Sequence, residues 1–453
     1  MGNLKSFSSS FPSLSTCSLP FLLYSIYLFS NLSFVDCFGS RSLIPQFRNR
    51  LRGKVVFHVG DYGAKGDGFH DDTKAIRDVW EKACSFPTTL KVVINFPAER
   101  TFLIQPTDFS GPCIGKVTLK IKGSIIAPID PEAWEGVNPR KWLYFHGIDR
   151  LSIEGGGAID GRGHKWWARS CKMNNTMPCE HAPSALTFYG CNNLKITDLV
   201  MINSQQMHLV FTNCMHVTAS QLKVIAPASS PNTDGIHISS SIHVQITSAV
   251  IETGDDCISI VGNSTRIGIR NIVCGPGHGI SIGSLGKNES LVEVRDVMVD
   301  GVFLSHTKNG LRIKTWQGGS GSASNITFQN IYMENVSNPI IIDQYYCDSL
   351  SPCSNETFAV KVEDVSFMTI RGTSATEAGI SFACSDIFPC KNLYLEDIQL
   401  VRYQGGLISS FCWQAEGLSS SLVYPPPCFP SVETLGSLKL PTTITSNNPL
   451  QSI

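Results

Sequence analysis

One short pattern recurs along the chain: apolar, any, apolar, any, polar, apolar. Copies begin at positions 194, 217, 244, 267, 292, 326, 360 and 393. Alternating side chains indicate strands, and a strand pattern that returns at such intervals is typical of a solenoid whose turns stack about 4.8 Å apart. The intervals vary because loops of different length can join stacked strands at small cost in entropy. The sequence therefore predicts an all-β protein, a single-domain right-handed parallel β-helix.

One helical pattern occurs near the start of this region. The segment 74–83 (KAIRDVWEKA) has an amphipathic period, and Asp71, Asp72 and Thr73 precede it as candidate N-cap residues. We expect a short helix that caps the open end of the solenoid. The alternative is that Asp71 and Asp72 bind a metal ion.

The N-terminus predicts export from the cell. Lys5 precedes an apolar run over 19–29, and small residues follow near 37–40, as in a secretory signal peptide. An uncleaved membrane anchor is the alternative, and no other stretch is apolar enough to span a membrane. We expect a secreted, extracellular or cell-wall protein. Its predicted segments are a signal peptide over 1–39, a linker over 40–54, the β-helix over 55–430 and an irregular tail over 431–453.

The sixteen cysteines also suit an oxidising compartment. Zinc binding is the alternative to disulfides, but the chain has no CxxC motif and its histidines are not grouped with the cysteines. Cys257 and Cys274 could join adjacent turns, while Cys191 and Cys214 could be small buried residues. Four further pairs suggest short disulfide loops: Cys171 with Cys179, Cys347 with Cys353, Cys384 with Cys390, and Cys412 with Cys428.

Composition limits the possible partners. The chain has 453 residues, 42% of them apolar, which is enough for a large core, and its net charge of −1 gives no reason to expect nucleic acid as a partner. We expect no membrane association after signal removal, and a monomer. Asn-x-Ser/Thr motifs predict a glycoprotein; they begin at Asn174, Asn263, Asn288, Asn325, Asn335 and Asn355.

Two carboxylates and a histidine occupy equivalent positions of successive repeats. The segments DGIHI, DCISI and HGISI begin at Asp234, Asp256 and His278, at intervals of 22 residues, so these side chains should stack. Asp255 adds a third carboxylate. Such crowding is costly unless the proton affinities are separated for acid/base work, and a ladder of Asp residues at solenoid turns is the structural alternative.

Four segments, in this order, resemble the signature motifs of polygalacturonases, the pectin-degrading glycoside hydrolase family 28. The segment 61–68 (DYGAKGDG) extends the resemblance to the N-terminal cap, and the whole likeness spans about 55–430. The many cysteines and glycosylation motifs are similar to those of the plant branch of this family. The four segments are SPNTDG at 230–235, GDDC at 254–257, GHG at 277–279 and LRIK at 311–314.

The resemblance implies a reaction and roles for the clustered residues. It implies hydrolysis of α-1,4 bonds between galacturonate units of de-esterified pectin, with inversion and without a metal or other cofactor. Asp255 matches the general acid, and Asp234 and Asp256 match the pair that positions and activates water. His278 matches the histidine that holds the acid in its working protonation state. The alternatives are a rhamnogalacturonan hydrolase, a calcium-dependent pectate lyase and a catalytically silent wall-binding protein, and endo or exo attack stays open.

The cations of the fourth motif predict a substrate charge. Arg312 and Lys314 alternate with apolar residues, so both should project from one strand face and grip a galacturonate carboxylate, although a solvated surface pair is the alternative. Strict alternation would bury Asp234 in the core. The carboxylates should therefore lie where the strand bends, which Gly235 and Gly254 would permit.

Other residues are expected to contact the sugar. By the resemblance, Tyr346 lines the subsite next to the scissile bond, although Tyr345, at a position that is commonly Asn, leaves open which ring faces the cleft. Asn232 is expected to hydrogen-bond to sugar. His237 should point outward, either into the cleft or simply into solvent.

Overall fold

The computed structural model describes residues 53–173, 176, 178–349 and 351–429. The predicted signal peptide, nearly all of the predicted linker and the predicted tail lie outside these residues. In the described part of the chain, strands stack in parallel as a β-helix, which confirms the predicted fold class. None of the helices among these residues is long and apolar enough to cross a membrane.

The first half of the solenoid consists mainly of short strands. Its strands are β1 (Lys54–His58), β2 (Asp67–Asp71), β3 (Lys91–Phe96), β4 (Thr101–Leu103), β5 (Thr107–Ser110), β6 (Val117–Ile121), β7 (Ser124–Ile126), β8 (Lys141–His146), β9 (Leu151–Glu154), β10 (Ala158–Asp160), β11 (Ser184–Tyr189), β12 (Asn192–Ile202), β13 (Leu209–Thr212) and β14 (Met215–Ile225).

The second half alternates long and short strands. Its strands are β15 (Ile236–Ser239), β16 (Ile242–Glu252), β17 (Ile258–Ile260), β18 (Ser264–Cys274), β19 (Ile280–Leu285), β20 (Leu291–Ser305), β21 (Asn309–Thr315), β22 (Ser320–Val336), β23 (Asn338–Asp343), β24 (Lys361–Ser374), β25 (Ala378–Ala383), β26 (Cys390–Arg402), β27 (Ser409–Trp413) and β28 (Ala415–Tyr424).

These strands form two sheets around one apolar interior. The small sheet has 11 strands in the order β5, β8, β11, β13, β15, β17, β19, β21, β23, β25 and β27, and the large sheet contains the other 17. Identical positions stack inside the small sheet, where the rings of Phe109, Phe145, Phe188 and Phe211 follow one another at 4.5, 5.3 and 5.8 Å between centroids. Each such buried side chain contributes roughly 1.5–3 kcal/mol to stability.

The recurring pattern has a conformational cause in the large sheet. Its polar position adopts a positive φ of 55°, 54° and 55° at Asp198, Gln221 and Asn271, and this left-handed residue bends each long strand. Because strands β20 and β24 are long, their alternating residues also match the pattern five residues before the position that pairs with the neighbouring strand. The expected starts at Val292 and Val360 are wrong, since the strand pairings align Val297 with Ile267 and Val365 with Ile326.

The helices are few and short. They are α1 (Thr73–Cys84), α2 (His164–Ala168) and the 3₁₀ turns Val59–Tyr62, Pro131–Trp134 and Lys287–Glu289.

Helix α1 is the predicted N-terminal helix and buries Ile76, Val79 and Trp80 against the solenoid. Asp72 occupies the N-cap position of α1, but its carboxylate makes no capping hydrogen bond and instead accepts the backbone N–H groups of residues 65 and 66 at 2.6 and 3.1 Å. Asp71 takes that role and accepts the Thr73 N–H at 2.9 Å.

All five suggested disulfides are present, including Cys257–Cys274, and Cys191 and Cys214 are free and buried as expected. A sixth disulfide, Cys84–Cys113, is not expected from the sequence; it ties the end of α1 to the loop between β5 and β6, 29 residues away.

Candidate active site

The carboxylates meet on the outer side of the small sheet. Strands β15, β17, β19 and β21 are in register through Ile236, Ile258, Ile280 and Leu311. The 22-residue spacing therefore places Asp234, Asp256 and His278 at one height of successive turns. Each lies two residues before the paired isoleucine of its strand. Four turns thus supply the site.

The bend that frees Asp234 from the core depends on two glycines. Asp234 lies before β15 begins, so the alternation of the strand does not apply to it. A Cβ on Gly235 would lie 2.6 Å from the carbonyl oxygen of Cys257, and one on Gly254 would lie 1.9 Å from that of Ser230. Close backbone approach, and not positive φ, therefore requires glycine at both positions.

Asp256 is buried and neutralised by two cations. Its Oδ1 accepts hydrogen bonds from Arg312 at 2.7 Å and from Ser281 at 2.8 Å, and its Oδ2 accepts one from Lys314 Nζ at 2.8 Å. Arg312 also donates to Ser281 at 3.0 Å. As predicted, both cations project from the face opposite to the buried Leu311 and Ile313. Two cations therefore pair with one carboxylate, and the charge of Lys314 also acts on the neighbouring Asp255.

Asp234 is also buried, but no lysine or arginine of the described residues forms an ion pair with it, and Nδ1 of His237 lies 3.9 Å from its Oδ2. Ser259 donates to its Oδ2 at 2.7 Å, and Ser259 is in turn 2.8 Å from Nδ1 of His237. Burial, followed by the negative charges of Asp255 and Asp256, raises the pKa of Asp234 well above its usual range. Burial lowers the pKa of His237 to about 4, so this ring is neutral and donates its Nδ1–H to Ser259.

A second buried histidine holds the backbone at Asp234. Both the N–H of His208 and its Nδ1 lie within hydrogen-bond distance of the Asp234 carbonyl oxygen, at 2.9 and 3.1 Å. Its Nε2 accepts the N–H of Ser204 at 3.2 Å, and burial lowers the pKa of His208 to about 4. A neutral ring therefore connects two loops below the site.

Asp255 faces the opening and pairs with His278. Its Oδ1 lies 3.0 Å from Nδ1 of His278 and accepts the N–H of Asp256 at 2.8 Å. Burial by itself raises the pKa of Asp255, but the hydrogen bond and charge of His278, followed by the charge of Lys314, outweigh it and lower the pKa to about 2. Environment therefore pushes the pKa values of Asp234 and Asp255 in opposite directions.

The same cluster contains the candidate ligands for a metal ion among the described residues. Asp255, Asp256 and His278 offer ligand atoms within 4.8 Å of one another. Both oxygens of Asp256 already bind Arg312 and Lys314, and a divalent cation there would meet two fixed positive charges. This donor set does not suit a metal.

Aromatic rings form the wall next to Lys314. The ammonium of Lys314 lies 5.3 Å from the Tyr346 ring centroid, and that ring meets Trp316 edge to face at 5.5 Å. Burial raises the pKa of Tyr346. Tyr345 points elsewhere and donates to Asp386 at 3.2 Å, so Tyr346 is the ring that faces the cluster.

Sequence reasoning missed several residues at this site. Ser259 and Ser281 follow Asp256 and His278 by three residues in the repeat, so the pattern that aligned the acids also aligned the hydroxyl groups. Trp316 and His208 lie outside the four motifs. Only their contacts show that they belong to the site.

With this geometry described, comparison with known proteins places the chain in a family. The model of glycosyl hydrolases family 28 matches residues 84–418. The chain belongs to this family. It is 56% identical to a probable polygalacturonase of Arabidopsis thaliana over 87% of this chain and 89% of that protein. It is 50% identical to a polygalacturonase of Persea americana over 80% and 79% of the two chains.

Solved structures support the fold. An exopolygalacturonase from Thermotoga maritima has a TM-score of 0.64 at 19% identity, covering 81% of this chain and 87% of its own. An endo-xylogalacturonan hydrolase from Aspergillus tubingensis has a TM-score of 0.64 at 22% identity, covering 81% and 96%. The protein is therefore a glycoside hydrolase of family 28 with a right-handed parallel β-helix.

Proposed function

We propose that this family 28 hydrolase is a secreted polygalacturonase that hydrolyses the α-1,4 bonds of de-esterified pectin with inversion. The observation that carries the proposal is the pair of cations on the site face, since Arg312 and Lys314 lie beside the acids and form ion pairs only with Asp256 among the described residues. A galacturonate carboxylate is a further hydrogen-bond and ion-pair partner for these cations, whereas a neutral glucan has no charged group to pair with them. Relatives named as polygalacturonases and the disulfides of the described residues support action on pectin in the cell wall.

The proton for the leaving oxygen comes, in this proposal, from the pair of Asp255 and His278. In the substrate-free protein Asp255 has a pKa of about 2 and is ionised. A polyanionic substrate that excludes water from the pair favours moving a shared proton along the 3.0 Å hydrogen bond from His278 to Asp255. Asp255 then protonates the glycosidic oxygen as it leaves.

A second assignment is favoured by the raised pKa of Asp234, which shifts this carboxyl group toward its protonated form. A galacturonosyl fluoride separates the two assignments, because fluoride leaves without protonation. The Asn variant of the true acid should regain most of its activity on the fluoride, and the Asn variant of the base should not. We expect recovery in Asp255→Asn and none in Asp234→Asn; the reverse result would exchange the two roles.

Water activation falls to Asp234 and Asp256 in the proposal, on the opposite side of the sugar from the acid. Asp255 and Asp256 have oxygens within 4.8 Å, nearer than the roughly 6.5–9.5 Å between carboxyl groups of inverting enzymes. Inversion therefore depends on the family resemblance and not on this distance. NMR of the first product from polygalacturonate should show the inverted anomer, and a retained anomer would contradict the water mechanism.

The charge proposal has its own test. Methyl-esterification removes the carboxylate charge, so it should strongly depress hydrolysis by the parent enzyme. Lys314→Met should lose most activity on polygalacturonate, and its residual activity should depend much less on esterification. An unchanged preference for de-esterified polymer in this variant and in Arg312→Met would contradict the clamp.

Release of reducing sugar from polygalacturonate is the primary test of the function. A pectate lyase would instead form unsaturated, ultraviolet-absorbing products, a rhamnogalacturonan hydrolase would prefer the rhamnose-containing polymer, and a silent binding protein would release nothing. Product sizing over time decides the mode of attack. Early mixed oligomers mean endo action, and monomer alone means exo action.

A further inference from the structure

A pocket of about 310 Å³ lies beside the catalytic cluster. Asn232, Gln205, Lys287 and Asp348 are among its lining residues. Asn232 is two residues from Asp234, and Gln205 lies in the same loop as the His208 ring that binds the Asp234 carbonyl oxygen. A polymer bound across the catalytic cluster therefore passes next to this pocket.

The amide of Gln205 gives the pocket an unsatisfied polar group. Gln205 is 1% exposed, and neither its Oε1 nor its Nε2 has a hydrogen-bond partner among the described residues. A buried side-chain amide without partners costs roughly 1–3 kcal/mol. A ligand hydroxyl group, which both donates and accepts, is a matching partner for this amide.

Lys287 gives the pocket its unpaired positive charge. Its ammonium lies 5.0 Å from the Trp316 ring centroid, and no carboxylate forms an ion pair with it in the described part of the chain. The nearby carboxylate of Asp348 is instead paired with Lys172 at 2.5 Å. Since Trp316 also contacts Tyr346, the rings connect this cation to the wall of the catalytic cluster.

Two further charged residues of this pocket also line a neighbouring pocket. Arg169 and Glu180 line both pockets, whereas Asn232, Gln205 and Lys287 line only the first. Arg169 is paired with Glu132 at 2.8 Å. The part of the pocket nearest to the catalytic cluster therefore combines a free cation with a free amide.

We infer that this pocket is an additional sugar subsite that takes a uronate unit of the substrate polymer. Lys287 binds the carboxylate and Gln205 hydrogen-bonds to ring hydroxyl groups. The inference rests on the proposed function, and it adds a specificity site outside the four motifs. Cys171, Lys172, Cys179 and Asp348 line the pocket, and the Lys172–Asp348 pair joins the segments that hold the disulfides Cys171–Cys179 and Cys347–Cys353.

The test compares Lys287→Met with Lys223→Met, which removes the same charge from an exposed position on β14 of the large sheet. The parent and both full-length variants are assayed on galacturonate oligomers from trimer to hexamer. Lys287→Met should lower kcat/KM about tenfold on the hexamer, mainly through KM, which corresponds to about 1.4 kcal/mol. The loss should fall below about twofold on the shortest oligomer that is cleaved, because that substrate does not need to enter the pocket.

Gln205→Met keeps the length of the side chain and should show the same dependence on oligomer length. Equal losses at every length, or values for Lys287→Met that match those of Lys223→Met throughout, would overturn the inference. Because Lys287 is exposed, its variant tests the site even if Gln205→Met fails to fold.

Calorimetric titration with the galacturonate hexamer separates this inference from the proposed function. In an Asp255→Asn background, Lys287→Met should weaken the Kd about tenfold and Lys223→Met should not change it. If the parent enzyme cleaves no galacturonate polymer but still shows this binding pattern, the proposed function fails and the subsite stands. If the hexamer does not bind, the subsite fails as well.

Discussion

Two ion pairs of this protein have the same shortest nitrogen–oxygen distance and opposite surroundings. Arg312 binds Asp256 on the small sheet, and Arg371 binds Asp397 on the large sheet, each at 2.7 Å. The side chains of the first pair are 10% and 2% exposed, and those of the second are 46% and 28% exposed. The nitrogen–oxygen distance alone therefore does not show which pair contributes more to stability.

The difference reflects what covers each sheet. Loops enclose the outer face of the small sheet at the catalytic turns, so charges there are desolvated and must be paired. The outer face of the large sheet is open to water, where an ion pair is screened and typically contributes at most about 1 kcal/mol. Enclosure shifts the pKa values of Asp234 and Asp255, and four pairs of variants test its consequences.

The largest contrast should be in turnover, between Asp255 and Asp300. Asp255→Asn removes the proposed acid and should lower kcat by about 10² to 10⁴ with the fold intact. Asp300 on the large sheet accepts a hydrogen bond from Asn330 at 2.7 Å, and Asp300→Asn should leave kcat unchanged. Near-normal turnover in a folded Asp255→Asn enzyme would remove Asp255 from the mechanism.

The next contrast concerns stability and uses the two arginines directly. Arg312→Met removes the buried hydrogen bonds to Asp256 and Ser281 while Lys314 still pairs with Asp256, so we expect the free energy of unfolding to fall by about 1.5–3 kcal/mol. Arg371→Met should lower it by less than about 1 kcal/mol. Denaturant unfolding measures both, and equal losses would show that enclosure has no effect on the pairs.

Within the enclosed face, Asp234 and Asp255 should give opposite pH dependences of stability. Folding raises the pKa of Asp234, so its contribution is present at low pH and is lost as the pH rises through the raised pKa. Folding lowers the pKa of Asp255 to about 2, so its contribution is present above about pH 4 and is lost as the pH falls toward 2.

Asp234→Asn should therefore gain stability relative to the parent as the pH rises, whereas Asp255→Asn should gain relative to the parent as the pH falls below about 4. Unfolding curves measured across this range give the two differences. Parallel pH profiles for both variants would contradict the opposite pKa directions.

The smallest contrast involves two hydroxyl groups. Ser259→Ala removes the hydrogen bond to Asp234 and should cost about 1 kcal/mol in stability, with a further rise in the Asp234 pKa that shifts the pH profile of kcat/KM. Ser220, which lies 3.1 Å from Thr197 on the large sheet, serves as the control, and Ser220→Ala should be within about 0.5 kcal/mol of the parent. An unshifted pH profile in Ser259→Ala would mean that the hydroxyl group does not tune Asp234.

Periodicity explains which parts of the fold could be predicted. Alternating apolar residues specify strands, and stacking of equal turns places Asp234, Asp256 and His278 together whatever conformation the connecting loops adopt. The same signal failed at Val292 and Val360, since a long strand satisfies the pattern at more than one step and only neighbouring strands select the register. The Cys84–Cys113 disulfide follows no repeat and could not be read from spacing.

The amino-acid sequence by itself determined the solenoid, the alignment of the acids and the family, because all three follow from local patterns that repeat or match known motifs. Only the tertiary structure decided that Asp256 is paired, that the pKa values of Asp234 and Asp255 move apart, and that Gln205 and Lys287 share a pocket. Those properties depend on desolvation and on distances between residues from different turns and loops. Sequence spacing stacks equivalent positions of the repeat, but it does not give the burial of these side chains or their distances to residues of other loops.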